Sequence, residues 1–182
     1  EFEKYLETIN RQIKDIENLV NEFSNFARMP RPIVKKIDIN KVVSRSINFL
    51  ELSLKSKIFF SKNKESNFIM GDEDQLYRVF INLIKNADES ITEILSKKPK
   101  YEGKIDIDIL NNNDYKVILI KDNGEGISDT KKVMTPYFTT KKKGTGLGLP
   151  IVNKIINEHS GEFVIKKDKD KGVVIEIWLP SI

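Results

Sequence analysis

Cysteine is absent from the 182 residues, and histidine and tryptophan occur once each. Without cysteine there is no disulfide framework and no thiolate metal site, which fits a reducing compartment. No apolar run approaches the ~18 residues of a membrane-spanning helix, and no signal-peptide pattern is visible. A basic stripe interleaved with aromatics, the footprint of a nucleic-acid surface, is also missing. The net charge is only +4, and the lysine clusters at 97–100, 141–143 and 166–171 are separated by acidic residues. Most of these lysines read as solvated loops. At 182 residues, 39% of them hydrophobic, the chain can bury one ordinary domain core and carry a helical extension. The chain starts at Glu1, without Met and already inside a helical pattern, so it is expected to be part of a longer protein.

That helical pattern is the longest regular feature present. Phe2, Leu6, Ile9, Ile13, Ile16, Val20, Phe23 and Ala27 alternate spacings of four and three. This is a heptad seam, predicting one helix over 1–28 that seeks a partner in a coiled coil or four-helix bundle. Met29-Pro30-Arg31-Pro32 stops it, because proline has no donor and clashes with the preceding turn. We therefore expect a bundle helix at 1–28, a linker at 29–37 and a separate domain at 38–182. Within that domain the pattern predicts helices at about 40–55, 73–95 and 147–158, the second capped by Asp72. Strands are expected around Ile58–Phe60, Phe68–Met70, Ile105–Ile109, Val117–Ile120, Phe163–Ile165 and Val173–Trp178. Ser128–Lys143 has weak periodicity and reads as a loop or lid. The expected fold is α+β: a two-layer sandwich with a mixed sheet of about five strands and helices on one face.

Four polar and glycine signatures follow one another in this domain: Asn82-Leu-Ile-Lys-Asn86-Ala-Asp, Asp122-Asn-Gly124-Glu-Gly126-Ile127, Phe138-Thr-Thr140-Lys141 and Gly144-Thr145-Gly146-Leu147-Gly148-Leu. Asn82 and Asn86 are four apart and share a helix side beside the apolar stripe. An amide oxygen there is a hard neutral ligand suited to Mg²⁺, although two asparagines alone would also read as surface. Asp122 ends an apolar strand and can accept a hydrogen bond from an exocyclic amine. Gly124 and Gly126 let the backbone approach a flat ring, while an ordinary Asn-Gly hairpin turn is the plain alternative. The glycines at 144–148 expose N–H groups at a helix start, where phosphate binds. Each signature is weak alone, but their joint order is specific. Lys141 is the better phosphate candidate; Lys85 points away from the core, and Trp178 reads as packing.

The series resembles the ATP-binding catalytic domain of sensor histidine kinases, within the superfamily shared with gyrase, Hsp90 and MutL. The resemblance covers about residues 38–182. It implies ATP and Mg²⁺ as cofactors, with Asn86 as metal ligand and Asp122 as adenine anchor. Gly124, Gly126 and Ile127 become the purine wall, and Phe138 to Lys141, including Thr140, the start of the lid. Gly144, Thr145, Gly146, Leu147 and Gly148 become the phosphate grip. The stretch Glu22-Phe-Ser-Asn-Phe-Ala-Arg-Met-Pro-Arg-Pro32 is similar to the segment after the second bundle helix in nitrogen-regulation kinases of the NtrY type. By that resemblance residues 1–28 are the second helix of the dimerisation and phosphoacceptor bundle.

Two departures sharpen the expectation. The family's acceptor motif, of the His-Glu-x-Lys/Arg-Asn-Pro type, does not occur, and His159 reads as a helix-terminal residue whose cationic ring suits the helix dipole. In the ATPase branch a glutamate four residues before the metal asparagine activates water. Here that catalytic position is Asn82, and an amide cannot act as a general base at neutral pH. Phosphoryl transfer to histidine can dispense with that base, since it depends on positioning and charge neutralisation. The expected function is thus a histidine kinase module that phosphorylates a histidine outside this chain, for relay to a response regulator. The phosphoacceptor bundle of the same or a partner subunit is the expected docking partner, with homodimerisation through residues 1–28. No nucleic acid or membrane contact is expected, and the chain reads as a cytoplasmic part of a membrane-anchored sensor. The alternative is an ATPase or an ATP-gated conformational or dimerisation module of the same superfamily.

Overall fold

The computed structural model describes the chain except residues 62–66, 140, 142, 143 and 170, and except the side chains of 15, 18, 19, 22, 25 and 26. Helix α1 (Phe2–Ala27) carries the heptad seam along its whole length and has no side-chain N-cap. From Phe2 to Phe23 the seam side chains are exposed. Such a helix cannot hold itself by propensity alone and draws its stability from whatever covers its apolar face.

The α/β part begins where the linker was expected to continue. Strand β1 (Lys35–Asp38) takes up the end of the 29–37 stretch, and pairs antiparallel with β3 (Phe68–Gly71) as a two-stranded sheet of its own. Asp38 ends β1 and caps α2 (Ile39–Leu50) by accepting the Asn40 N–H at 3.1 Å. Helix α3 (Glu73–Lys97) follows β3 without a gap, capped by Asp72 as the sequence predicts. The main sheet contains β2 (Lys57–Ser61), β4 (Lys104–Asn112), β5 (Tyr115–Asp122), β6 (Glu162–Lys167) and β7 (Val173–Pro180), in the order β2-β4-β5-β7-β6. Its β2–β4 pair is parallel and the other pairs are antiparallel, so the sheet is mixed and five-stranded as expected.

Alternation decides which face is covered. Ile105, Ile107 and Ile109 of β4, Ile118 and Ile120 of β5, and Val173, Ile175, Ile177 and Leu179 of β7 are buried in one core. Leu76, Phe80, Leu83, Ile84 and Ile91 of α3 join them, as do Ile151, Val152, Ile155 and Ile156 of α4 (Gly148–Glu158). Each such side chain contributes roughly 1.5–3 kcal/mol relative to exposure. The opposite sheet face carries Asp106, Asp108 and Lys121; there Trp178 packs edge-on against Tyr115, a packing role as expected. Buried Asp88 ties α3 to the start of β2, accepting the Lys55 and Ser56 N–H groups at 2.9 and 2.8 Å.

Candidate nucleotide site

Asn82 and Asn86 sit half-buried on the rim of α3 and face the first residue of α4. A Cβ at Gly148 would lie 3.4 Å from Asn82 Oδ1 and 3.8 Å from Asn86 Nδ2. The helical period thus sets both amides against the glycine that opens α4, where a Cβ would stand in ordinary contact with them. Asn82 Nδ2 donates to the Arg78 carbonyl at 3.2 Å, which leaves its oxygen turned toward Gly148. Asn86 Oδ1 accepts a hydrogen bond from the Lys141 ammonium at 2.9 Å, and the same ammonium pairs with Glu89. The lid cation therefore lies against the oxygen expected to ligate metal. Lys85 is exposed, as the sequence reading holds.

Across α3, Asp122 closes β5 and is 5% exposed. Burial raises its carboxyl above the usual aspartate range, opposed by hydrogen bonds from the Gly124 and Val173 N–H groups. The Gly124 bond is 2.8 Å. A carboxylate so placed can accept an N–H from a flat base and repels a carbonyl at the same spot. Gly124 is required by crowding: a Cβ there would come within 2.8 Å of Ser90 Cβ and 2.9 Å of Asp122 Oδ1. Ser90 Oγ also accepts the Glu125 N–H at 3.0 Å, fixing this turn to α3 one helical turn beyond Asn86. Asn123 is occupied structurally, its side chain bridging the Lys104 N–H and the Glu102 carbonyl. Gly126 has φ +83°, and Ile127 packs half-buried against the core.

The third wall is the segment from the lid into α4. Gly146 has φ +69°, and a Cβ there would press on Phe138 at 2.7 Å from its carbonyl oxygen. Tyr137 donates its N–H to the Gly146 carbonyl at 3.1 Å and itself holds φ +68°, a conformation that costs a non-glycine residue free energy. Leu147, the N-cap residue of α4, makes no side-chain capping bond, and backbone N–H groups open the helix there. Leu147 is fully buried in the core, so like the three glycines of the expected grip it can offer only backbone, and Thr145 alone adds a polar side chain. Gly144 and Thr145 are half-buried beside it. Asp129 opens the lid by accepting the Lys131 and Lys132 N–H groups at 2.9 and 3.1 Å, leading into a 3₁₀ turn at Lys132–Met134. Phe138 is half-buried, and Thr140 lies outside the described residues.

Several site positions escape the sequence reading. Gly172, φ +93°, lies over Asp122 so closely that any Cβ would overlap the Asp122 carbonyl oxygen. It reads in the sequence as an ordinary hairpin glycine, and only the β6–β7 turn folding back on β5 shows its second duty. Ser90 and Glu89 have no signal beyond their helical phase with Asn86. His159 is structural, as expected, but the cationic ring is a correction. Its Nε2 accepts the Asp72 N–H at 2.9 Å while Nδ1 faces the Ile155 carbonyl at 2.8 Å. A protonated Nε2 has no lone pair to accept with, so the ring is the neutral Nδ1–H tautomer.

Comparison with known proteins agrees with this geometry. The profile of a family described as histidine kinase-, DNA gyrase B-, and HSP90-like ATPase matches residues 71–182. The NtrY-like sensor histidine kinase of Rickettsia prowazekii is 36% identical over 97% of this chain and 29% of its own length. Sporulation kinase C of Bacillus subtilis is 35% identical over 97% of this chain and 41% of its own. The chain thus spans less than half the length of these curated relatives. Among solved structures, the catalytic domain of the histidine kinase ThkA superposes with a TM-score of 0.69 at 27% identity, covering 81% of this chain and 95% of that one. Full-length ShkA in complex with AMPPNP gives 0.73 over 98% of this chain and 38% of its own; at 17% identity this is a likeness of fold. With both the profile and the three walls of the groove in agreement, the chain belongs to the histidine kinase-, DNA gyrase B- and HSP90-like ATPase family, as an ATP-binding module of the sensor histidine kinase kind.

Proposed function

We propose that the chain binds ATP with Mg²⁺ and presents the γ-phosphoryl group to a histidine that this chain does not supply. The observation that carries this reading is the placement of Asn86 between the buried Asp122 turn and the glycine-rich start of α4, with the lid ammonium at its oxygen. Asp122 would take the exocyclic amine of adenine, with Gly124, Gly126 and Ile127 along the ring. The N–H groups from Gly144 to Gly148 and the Lys141 ammonium would hold the phosphates.

The donor set fits Mg²⁺. Asn86 offers one hard, neutral oxygen that already attracts a cation, and that ion prefers few protein oxygens beside phosphate and water. When bound, it supplies neutralisation of phosphate charge. The chain's own contribution is positioning: α3 and α4 fix the triphosphate while the lid excludes water. No general base is needed for attack by an imidazole. Asn82, which has no titratable group and whose Nδ2 is held by Arg78, provides none for water. This favours kinase over ATPase.

The wider assignments rest on the relatives. α1 would be the second helix of a dimerising phosphoacceptor bundle, residues 29–34 the link, and the remainder the catalytic domain. The relay partner would be a response regulator, in a nitrogen-regulation type of pathway and a cytoplasmic setting. Among the described residues no helix is long and apolar enough to cross a membrane. The test is incubation with labelled ATP, alone and with a separately supplied first bundle helix. Acid-labile label should appear only on a histidine of the added helix. Label on His159, or brisk hydrolysis without acceptor, would overturn the reading.

A further inference from the structure

The segment leaving α1 is fastened at one place, the N-terminus of α3. Asp72 Oδ1 caps the helix, accepting the Asp74 and Gln75 N–H groups at 3.0 Å each. Its second oxygen, Oδ2, reaches out of the helix and accepts the Ile33 N–H at 2.7 Å. Gln75, 6% exposed, donates from Nε2 to the Pro30 carbonyl at 3.0 Å. Pro30 and Pro32 fix two φ angles in this short segment, so two bonds pin it as a strut. Met29 adds an apolar contact to the core.

The same point also ties the two helices of the nucleotide site. Asp72 gives its own N–H to His159, the residue that ends α4. Gly71 allows this, since a Cβ there would sit 2.9 Å from Leu76 and 3.2 Å from the imidazole ring. α3 runs from Asp72 to Asn82 and Asn86, and α4 runs back from Gly148 to His159. Each stretch is roughly 15–20 Å at 1.5 Å per residue, so the helices form an antiparallel frame with the groove at one end and the fastening at the other. A second link closes the circuit. Phe23, near the end of α1, lies against Tyr137 of the lid with ring centroids 6.4 Å apart. That contact depends on where the strut holds α1.

We propose that Asp72 and Gln75 form a clasp for the Pro30–Ile33 strut, and that strut docking and nucleotide binding are thermodynamically coupled through the α3–α4 frame and the Phe23–Tyr137 contact. The proposal rests on the nucleotide reading above. Asp72 and Gln75 touch no substrate in it; they are positioning residues. Coupling between sites is reciprocal: nucleotide must strengthen the docked strut by the factor by which docking strengthens nucleotide.

The Ile33 amide reports docking directly, because its hydrogen exchange requires release from Asp72. Gln75→Met removes one strut bond while keeping side-chain length and leaving the Asp72 cap intact. It also removes Gln75 Oε1, a buried oxygen with no partner among the described residues, so the fold itself should not melt earlier. In the unmodified chain, Mg²⁺-ATP should slow Ile33 exchange about fivefold or more, the low end of ordinary coupling energies. Gln75→Met should speed Ile33 exchange in the free protein and weaken ATP, measured by calorimetry, by at most the factor by which ATP slows that exchange. Asp72→Asn, which keeps a capping oxygen but turns an amide donor toward Ile33, should do the same. The coupling is overturned if ATP binds and Ile33 exchange ignores it, or if the variants free Ile33 without changing affinity. Absence of any nucleotide binding would end the functional reading and the coupling together. It is told apart from the other failure because calorimetry then shows no heat at all.

Discussion

At Asp122 two demands meet in one carboxylate: it must be buried to face a base, and it must stay ionised to accept a hydrogen bond from one. Burial raises its pKa, and the Gly124 and Val173 N–H groups pull it back only in part. The folded chain therefore binds this proton more tightly than the unfolded chain does. The ionised form costs stability at neutral pH, and that cost is relieved as pH falls through the raised value. Protonation also destroys the acceptor, so ATP affinity should fall on acidification before ordinary surface aspartates titrate. Calorimetry between neutral and mildly acid pH would show it, and a flat profile would remove Asp122 from the base contact. Asp122→Ala should weaken ATP and ADP together by about 1–3 kcal/mol, the usual scale for a charged hydrogen bond. Asn86→Ala should instead reduce the metal-dependent part of binding and leave metal-free nucleotide close to normal; persistence of metal dependence would assign the ligand elsewhere.

The lid and the helix caps act as elements. Ser128 to Lys141 is anchored by few apolar side chains, and its main polar tie is the Lys141 contact with Asn86 and Glu89. Lys141 and Glu89 side chains are 30% and 56% exposed, so that ion pair is worth at most about 1 kcal/mol. Such a lid opens readily. Nucleotide should slow its hydrogen exchange, and Glu89→Gln should speed it in the free protein while changing the bound state little. Equal protection with and without ATP would contradict a phosphate role for Lys141. At the start of α3, burial alone would raise the Asp72 carboxyl, but the Gln75, Ile33 and Asp74 N–H groups outweigh it and hold the pKa below the usual value. A depressed aspartate stabilises the fold above its unfolded pKa and loses that contribution as pH falls through the folded one. The cap and the strut should therefore release together only at pH below the ordinary aspartate range, read as loss of Ile33 protection.

On the scale of the whole molecule, what the sequence discloses follows the reach of its signals. Local periods place Asn82 beside Asn86 and mark the five-stranded sandwich, because both depend on neighbours within a few residues. Gly172 over Asp122, Ser90 at Glu125 and Ile33 at Asp72 join residues 35 to 50 apart, and no local pattern encodes them. The separate β1–β3 sheet was hidden for the same reason: Lys35–Asp38 is too short to read as a strand until β3 lies beside it. The heptad seam is the converse case, plain in the sequence and unsatisfied in the chain. Its side chains from Phe2 to Phe23 are 43–75% exposed, and among the described residues only Phe23 has an aromatic neighbour in the α/β part. A 26-residue helix with no side-chain N-cap bond and a wet seam is marginal by itself. α1 should therefore fray in dilute solution and become protected when the chain self-associates or meets a first bundle helix. Ile9→Glu with Ile13→Glu should abolish that association. These positions lie about 15–20 Å along the helix from Phe23, so the melting of the α/β part should not change. Sedimentation over a concentration series, with hydrogen exchange along α1, distinguishes the cases. A monomer at every concentration whose α1 amides are nonetheless well protected would show that the helix needs no partner, and the bundle assignment of residues 1–28 would fall with it.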